Sequence, residues 1–120
     1  MSPPNETLKV QLRNIREITL SVTGRKSGRA VSMPVWFVFE GDTLYLLPYQ
    51  GSDTQWYKNV LRSPTIRVDA GGAQAELKVT FVSDANKVAD VVEKFRAKHG
   101  ARDVKTYYSK FDVAVIAQVG

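Results

Sequence analysis

Apolar and polar side chains alternate along three stretches of the chain. Ile18, Leu20 and Val22 alternate with Thr19, Ser21 and Thr23, and Ile66, Val68 and Ala70 with Thr65, Arg67 and Asp69. Ala75, Leu77, Val79 and Phe81 alternate with Gln74, Glu76, Lys78 and Thr80. A period of two sets one strand face against a core and the other in water. Gly24 to Gly28 turns the first strand back into a second, Arg29 to Phe39, and Glu40-Gly41-Asp42 turns that into a third, Thr43 to Leu47. Gly71-Gly72 joins the two later strands, and Phe111 to Val119 reads as a last one. Between them the period changes. Val88, Val91, Val92 and Phe95 follow helical spacing from Asp84 to His99, with Gly100 as the stop. A shorter helix is expected between a cap at Ser52 or Asp53 and Pro64, with Trp56/Val60 and Tyr57/Leu61 as i,i+4 pairs. A further helix is expected over Glu6 to Asn14. About six strands joined mainly by hairpins, with two to three helices, predict an antiparallel, mainly β (α+β) barrel.

Length and composition narrow the setting. With 120 residues, 43% of them hydrophobic, positions 1–120 are expected to form one domain with its own core, the first five residues fraying. The absence of cysteine removes disulfides, thiolate zinc sites and cysteine nucleophiles. The longest apolar run, Met33 to Phe39, falls far short of the ~20 residues of a membrane span. The opening residues lack the basic and apolar regions of a signal peptide, so a cytoplasmic location is expected. Seventeen basic against twelve acidic side chains give a net charge of +5. That balance favours anionic partners: phosphate ligands, nucleic acid, or an acidic membrane surface touched peripherally.

Self-contained catalysis has few candidates. The one histidine, His99, falls in the last turn of a predicted helix, where the dipole favours a cation, and no second histidine or carboxylate cluster accompanies it as a metal site. An enzyme of this composition would borrow its reactivity from a cofactor. Gly24-Arg25-Lys26-Ser27-Gly28 reads either as a phosphate cradle or as a solvated hairpin turn. Pro34 lacks a ladder donor and belongs at an edge or a bulge, yet Val35 to Phe39 reads as buried on both faces. A flat ligand lying along that broken ladder is one account of it, and a ligand-free bulge is the other. The Gly51-Ser52 turn reads either as a second anion site or as simple capping. Trp56 reads as a core anchor or a ligand contact. Tyr107 and Tyr108 lie outside any periodicity, which leaves a hydroxyl for solvent or substrate.

Thr23-Gly24-Arg25-Lys26-Ser27-Gly28, Pro34-Val35-Trp36-Phe37, Gly41-Asp42-Thr43-Leu44-Tyr45, Gly51-Ser52, Trp56-Tyr57-Lys58-Asn59-Val60 and Ser63-Pro64 follow in order over more than half the chain. In this ordered set the chain resembles the deazaflavin-dependent nitroreductase family of split β-barrel proteins, which use coenzyme F420. The resemblance implies an F420-dependent oxidoreductase acting on a small-molecule substrate such as a quinone, enone or nitro-compound. It implies that Arg25, Lys26 and Ser27 hold the cofactor's acidic tail and that Met33, Pro34 and Val35 line its ring. Gly51, Ser52, Trp56 and Asn59 would close the other side, with Tyr107 and Tyr108 orienting or protonating the acceptor. Gln50 stands where nitroreductase members carry a lysine, and Val31 where a basic residue is usual. Arg29, two residues earlier than Val31 and on the same strand face, is the substitute.

Other ligands suit the same architecture. FMN, with a single phosphate, needs fewer cations than the F420 tail, and haem or a lipid-like molecule could be bound without turnover. A nucleic-acid-binding barrel agrees with the charge, but Trp36, Phe37 and Phe39 sit in a run too buried for a stacking platform, so no nucleic acid is expected. The two-sided apolar strand Val35 to Phe39 would allow a homodimer.

Overall fold

Each alternating stretch forms a strand whose apolar set points into the barrel. The computed structural model describes residues 5–119. Helix α1 (Glu6–Asn14) leads into β1 (Glu17–Thr23), which turns back as β2 (Ala30–Trp36). The hairpin of β3 (Val38–Glu40) and β4 (Thr43–Leu46) follows, then a 3-10 turn at Gly51–Asp53 and α2 (Gln55–Arg62). Strands β5 (Thr65–Ala70) and β6 (Ala73–Val82) precede α3 (Ala85–His99), α4 (Ala101–Tyr107) and β7 (Ala114–Gln118). Of the five residues expected to fray, the first four lie outside the described residues, and Asn5 caps α1.

The strands form one seven-stranded antiparallel sheet in the order β2-β1-β5-β6-β7-β4-β3. Strand β6 joins its halves. It pairs with β5 over Ala73–Lys78 and with β7 over Val79–Val82. The two edge strands, β2 and β3, are separated in the chain by Phe37 alone. The sheet therefore closes into a split barrel through a covalent link between its edges, without a final ladder of hydrogen bonds. The Arg29 to Phe39 stretch, expected as one strand, is two for this reason.

Edge placement also accounts for Pro34. Its residue partner is Thr19 on β1, and β2 has no neighbour on the other side. An edge strand tolerates a missing amide that a central strand would not. The run after it is buried only in part, since Val35 and Trp36 are half-buried and Phe37 and Val38 fully so.

Two apolar clusters hold the fold. One fills the barrel, with Leu20, Leu44, Ile66, Val68 and Val115, and is capped by Leu8 and Leu12 of α1. The other lies outside β3, β4 and β7, where Val88, Val91, Val92 and Phe95 of α3 pack on Val38, Leu47 and Ala114. Asp84, expected as the start of this helix, is its N-cap, accepting from the Asn86 and Lys87 amides. Helix α2 starts one residue later than expected, after Thr54. Helix α4 gives no periodic signal because only Val104 is buried on it.

Where the chain passes from β2 to β3, the Phe37 carbonyl leaves the ladder. Lys98 Nζ donates to it at 2.9 Å and His99 Nε2 at 3.0 Å. The Lys98 nitrogen also sits 3.6 Å from the centroid of the fully buried Phe37 ring. Burial first, then the charge of Arg16, lowers the Lys98 pKa from 10.5 to about 8. The folded chain therefore releases this proton near pH 8, whereas the unfolded chain holds it to about 10.5. Between those values the unfolded state binds more protons, so stability rises with pH across the window. The Lys98→Met variant keeps the His99 donor and loses the buried charge. Urea unfolding measured about one pH unit below and about one above the folded pKa should show the rise in the wild type and a flatter response in the variant. Equal rises in both proteins would show that the Lys98 charge is not the cause.

Candidate functional site

A cleft of about 410 Å³ opens beside the β2 edge, lined by Glu17, Pro34, Val35, Trp36, Leu47, Tyr49, Trp56, Tyr107 and Tyr108. Glu17 at the start of β1 lies directly opposite Trp36 in the β1–β2 register, and Pro34 opposite Thr19. Period-two geometry therefore presents Glu17, Trp36 and Pro34 on one sheet face. Leu47 and Tyr49 come from the segment after β4, Trp56 from the first turn of α2, and the tyrosine pair from the end of α4.

Trp36 is held from several sides. His99 stacks on it with ring centroids 4.5 Å apart and planes 5° apart. Tyr107 meets it edge-on at 5.4 Å, and Tyr108 is tilted against it at 6.1 Å. Tyr108 in turn stands edge-on to Phe95 of α3 at 6.0 Å. Such aromatic pairs add about 0.5–1.5 kcal/mol each beyond their burial.

His99 corrects the expectation of a helix-end cation. It is 4% exposed, and desolvation lowers its pKa, helped by Lys98 and Arg16 and opposed by the bond to Phe37. A carbonyl can only accept, so Nε2 carries the hydrogen, and Nδ1 is left buried without a partner among the described residues. Roofed by Trp36, this imidazole sets the indole's orientation and does not line the cleft. Tyr108 is 7% exposed, and burial pushes its phenol well above the usual tyrosine value. Its hydroxyl therefore stays protonated. Tyr107, 61% exposed, stands at the rim.

Of the residues singled out from sequence, the cleft gathers Pro34, Val35, Trp56, Tyr107 and Tyr108. The basic hairpin is built differently. Arg25 donates through Nη1 to Asn59 Oδ1 at 2.8 Å and through Nη2 to Gln55 Oε1 at 2.8 Å, while its amide reaches the same Asn59 oxygen at 3.1 Å. Arg25 and the buried Asn59 thus pin the hairpin to α2. Ser27 Oγ accepts from the Arg29 amide and closes the turn. Lys26 and Arg29 are exposed and join none of the ion pairs among the described residues. Met33 packs toward the barrel core, opposite Leu20.

Gly51 and Ser52 form a latch. Ser52 donates its amide to Asp112 Oδ1 at 2.9 Å and its hydroxyl to Asp112 Oδ2. Lys110 Nζ reaches Asp53 at 3.1 Å and Asp112 at 3.7 Å. Burial works against the charged form of Asp112, but the Ser52 bonds and Lys110 outweigh it and hold the carboxyl below its ordinary value. Where an external anion could bind, the chain's own carboxylate already sits. Gln50 bridges to Lys110 through the backbone, and its amide donates to Thr54 Oγ1. The loop holding Asp112 is also why the last strand begins at Ala114 and not at Phe111.

Sequence reasoning missed Glu17, Leu47 and Tyr49, and took Trp36 only as part of a buried run. The hairpin register would have found Glu17, since pairing Thr23 with Ala30 across the turn brings Glu17 to Trp36.

The family whose sequence profile matches is described as "Uncharacterized protein conserved in bacteria (DUF2255)", over residues 9–116. The chain belongs to the DUF2255 family. No curated protein matches it. Among solved structures, an F420H2-dependent reductase superposes with a TM-score of 0.64 at 20% identity, over 86% of this chain and 94% of that one. HutZ, the haem storage protein of Vibrio cholerae, gives 0.70 at 13%, over 95% and 88%. A protein solved as a domain-swapped dimer gives 0.66 at 17%, over 95% of each chain. Identities this low carry the fold alone. The DUF2255 chain is thus a split barrel of the same architecture as these proteins, and its resemblance to deazaflavin-dependent enzymes holds at the level of fold.

The latch makes a direct demand on Gly51. Its φ is +56°, and a Cβ there would lie 2.1 Å from Asp112 Oδ1. Gly51→Ala should cost at least ~2 kcal/mol, combining backbone strain with the overlap. In an Asp112→Ala background the same substitution should cost clearly less, as measured by a double-mutant cycle in urea. Additive costs would mean that Asp112 does not occupy that space.

Proposed function

We propose that this DUF2255 protein is a cofactor-dependent oxidoreductase whose cleft takes the ring of a deazaflavin, coenzyme F420, and serves a small organic acceptor. The observation that carries the reading is the cleft itself: about 410 Å³, mainly aromatic, and lined by Pro34 and Trp36 of β2 and Trp56 of α2. A conjugated ring suits such walls, and the fold is shared with an F420H2-dependent reductase. Lys26 and Arg29 remain available for an acidic tail.

The reduced cofactor would supply a hydride. The chain's own residues bind the ring, orient the acceptor and limit water. Tyr108, kept protonated by burial, donates a hydrogen bond to an acceptor carbonyl or nitro oxygen. Tyr107 at the rim is the group in contact with solvent through which a proton reaches a reduced quinone, enone or nitro-compound.

A second reading, binding of FMN or haem without turnover, has a specific observation in its favour. Arg25 and Ser52 are engaged within the protein, which leaves fewer donors for a polyanionic tail. Each missing charged hydrogen bond is worth ~1.5–3 kcal/mol, about tenfold or more in affinity. Phe37 and Val38 of the stretch expected to form a homodimer contact are buried in the chain's own core, so a dimer would use the β2 edge instead, where Val31 is exposed.

Both tryptophans of the chain line the cleft, so intrinsic fluorescence reports its occupancy. Titration with F420 and FMN side by side should show micromolar or tighter F420 binding that quenches this emission, with FMN weaker. Trp56→Phe should weaken F420 several-fold when read on folded protein and should also lower the unfolding midpoint, because Trp56 is packed in the barrel core at 3% exposure. Preference for FMN would favour the second reading, and no response to either would remove the flavin-type cofactor altogether.

A further inference from the structure

The charge inside the cleft is opposite to the charge of the protein. The chain as a whole carries +5, yet among the described residues the single charged side chain lining the cleft is Glu17, with five aromatic rings and three aliphatic side chains. Glu17 joins none of the ion pairs among the described residues. Its neighbour Arg16 is not part of the lining, although its charge reaches Lys98 and His99 behind Trp36. Glu17 lies directly across the β1–β2 ladder from Trp36, whose indole is stacked by His99 and met at a near-right angle by Tyr107. The half-buried indole itself lines the cleft.

Such a surface discriminates by charge. The faces of Trp and Tyr rings carry negative quadrupole density and attract cations, best when the site is partly dry. A carboxylate beside them adds a full opposite charge, and the lining holds no cation to oppose it. An anionic group would meet Glu17 with no donor of matching charge.

We propose that the Glu17–Trp36–Tyr107 end of the cleft binds a small organic cation, with Glu17 as the residue that sets charge preference. Resting on the reading of the cleft as the ligand site, this names the acceptor as one that carries positive charge: an iminium, whose carbon takes the hydride to give a neutral amine, or a quinone, enone or nitro-compound bearing an ammonium group. Trp36 is shared: its indole walls the ring site with Pro34 and Trp56 and borders the cation site with Glu17 and Tyr107. A larger groove of about 760 Å³ between α1, β3 and α3 makes no such selection. Arg13, Lys94 and Lys98 there face Glu40, Asp90 and Glu93, and Lys94 already bonds Glu40 at 2.6 Å.

The test uses two probes of equal shape, trimethyl(3-hydroxyphenyl)ammonium and 3-tert-butylphenol, titrated against tryptophan emission at neutral pH. The cation should bind about tenfold more tightly than its neutral isostere, with the difference shrinking as salt is raised. Glu17→Gln, a change at an exposed position, should cut that preference to about two- to threefold and leave 3-tert-butylphenol binding unchanged. Equal affinities in the wild type overturn the proposal, as does a preference that survives Glu17→Gln in full. The F420 titration separates the two readings. F420 binding without cation preference removes the acceptor class and keeps the cofactor, while cation preference without F420 binding keeps this site and removes the cofactor.

Discussion

The barrel depends on one residue carrying the chain from the first edge of the sheet to the last. Phe37 must leave the ladder of β2 and enter that of β3, and in doing so its carbonyl loses a strand partner inside the protein. A buried carbonyl left unpaired costs on the order of 1–3 kcal/mol, so donors must come from outside the sheet. The last turn of α3 brings them, as Lys98 and His99. That single requirement docks α3, sets the histidine tautomer, places an imidazole flat beneath Trp36 and so fixes one wall of the cleft. It also explains why a lysine sits where desolvation works against its charge.

Anions are handled inwardly in this protein. Features that look in sequence like places for a ligand's phosphates are engaged in joining loops. Arg25 ties the basic hairpin to Asn59 and Gln55 on α2, and the Gly51-Ser52 turn holds Asp112. What remains open is aromatic and carries one carboxylate. The cleft of this split barrel thus carries no cation in its lining among the described residues, although the chain as a whole is basic.

Much of the fold was legible because its signals are local. The alternation in β1, β5 and β6, the glycine turns and the helical spacing of α3 each depend on neighbours within a few residues. The division of Arg29 to Phe39 at Phe37 was not legible, since it arises only when β3 finds β4 and β7 on the far side of the sheet. Helix α4 was missed because one buried valine makes no period. In the site, the aromatic residues could be named but their company could not. Glu17 looks like the outer face of any strand until the register puts Trp36 opposite it. Ser52 looks like a free cap until Asp112, from a distant segment, fills its place.

Strand β7 lies between β6 and β4, although it follows all the other strands in the chain. Leu46 waits for Val115, and Thr43 for Gln118, across every intervening helix and strand. During synthesis the β3–β4 hairpin therefore emerges with its inner neighbour missing, and the lower half of β6 with it. Neither half of the barrel can finish until the segment around Ala114 leaves the ribosome. Until then a growing chain shows Leu44 and Leu46 beside an open backbone edge, the kind of surface that chaperones recognise and that aggregation exploits.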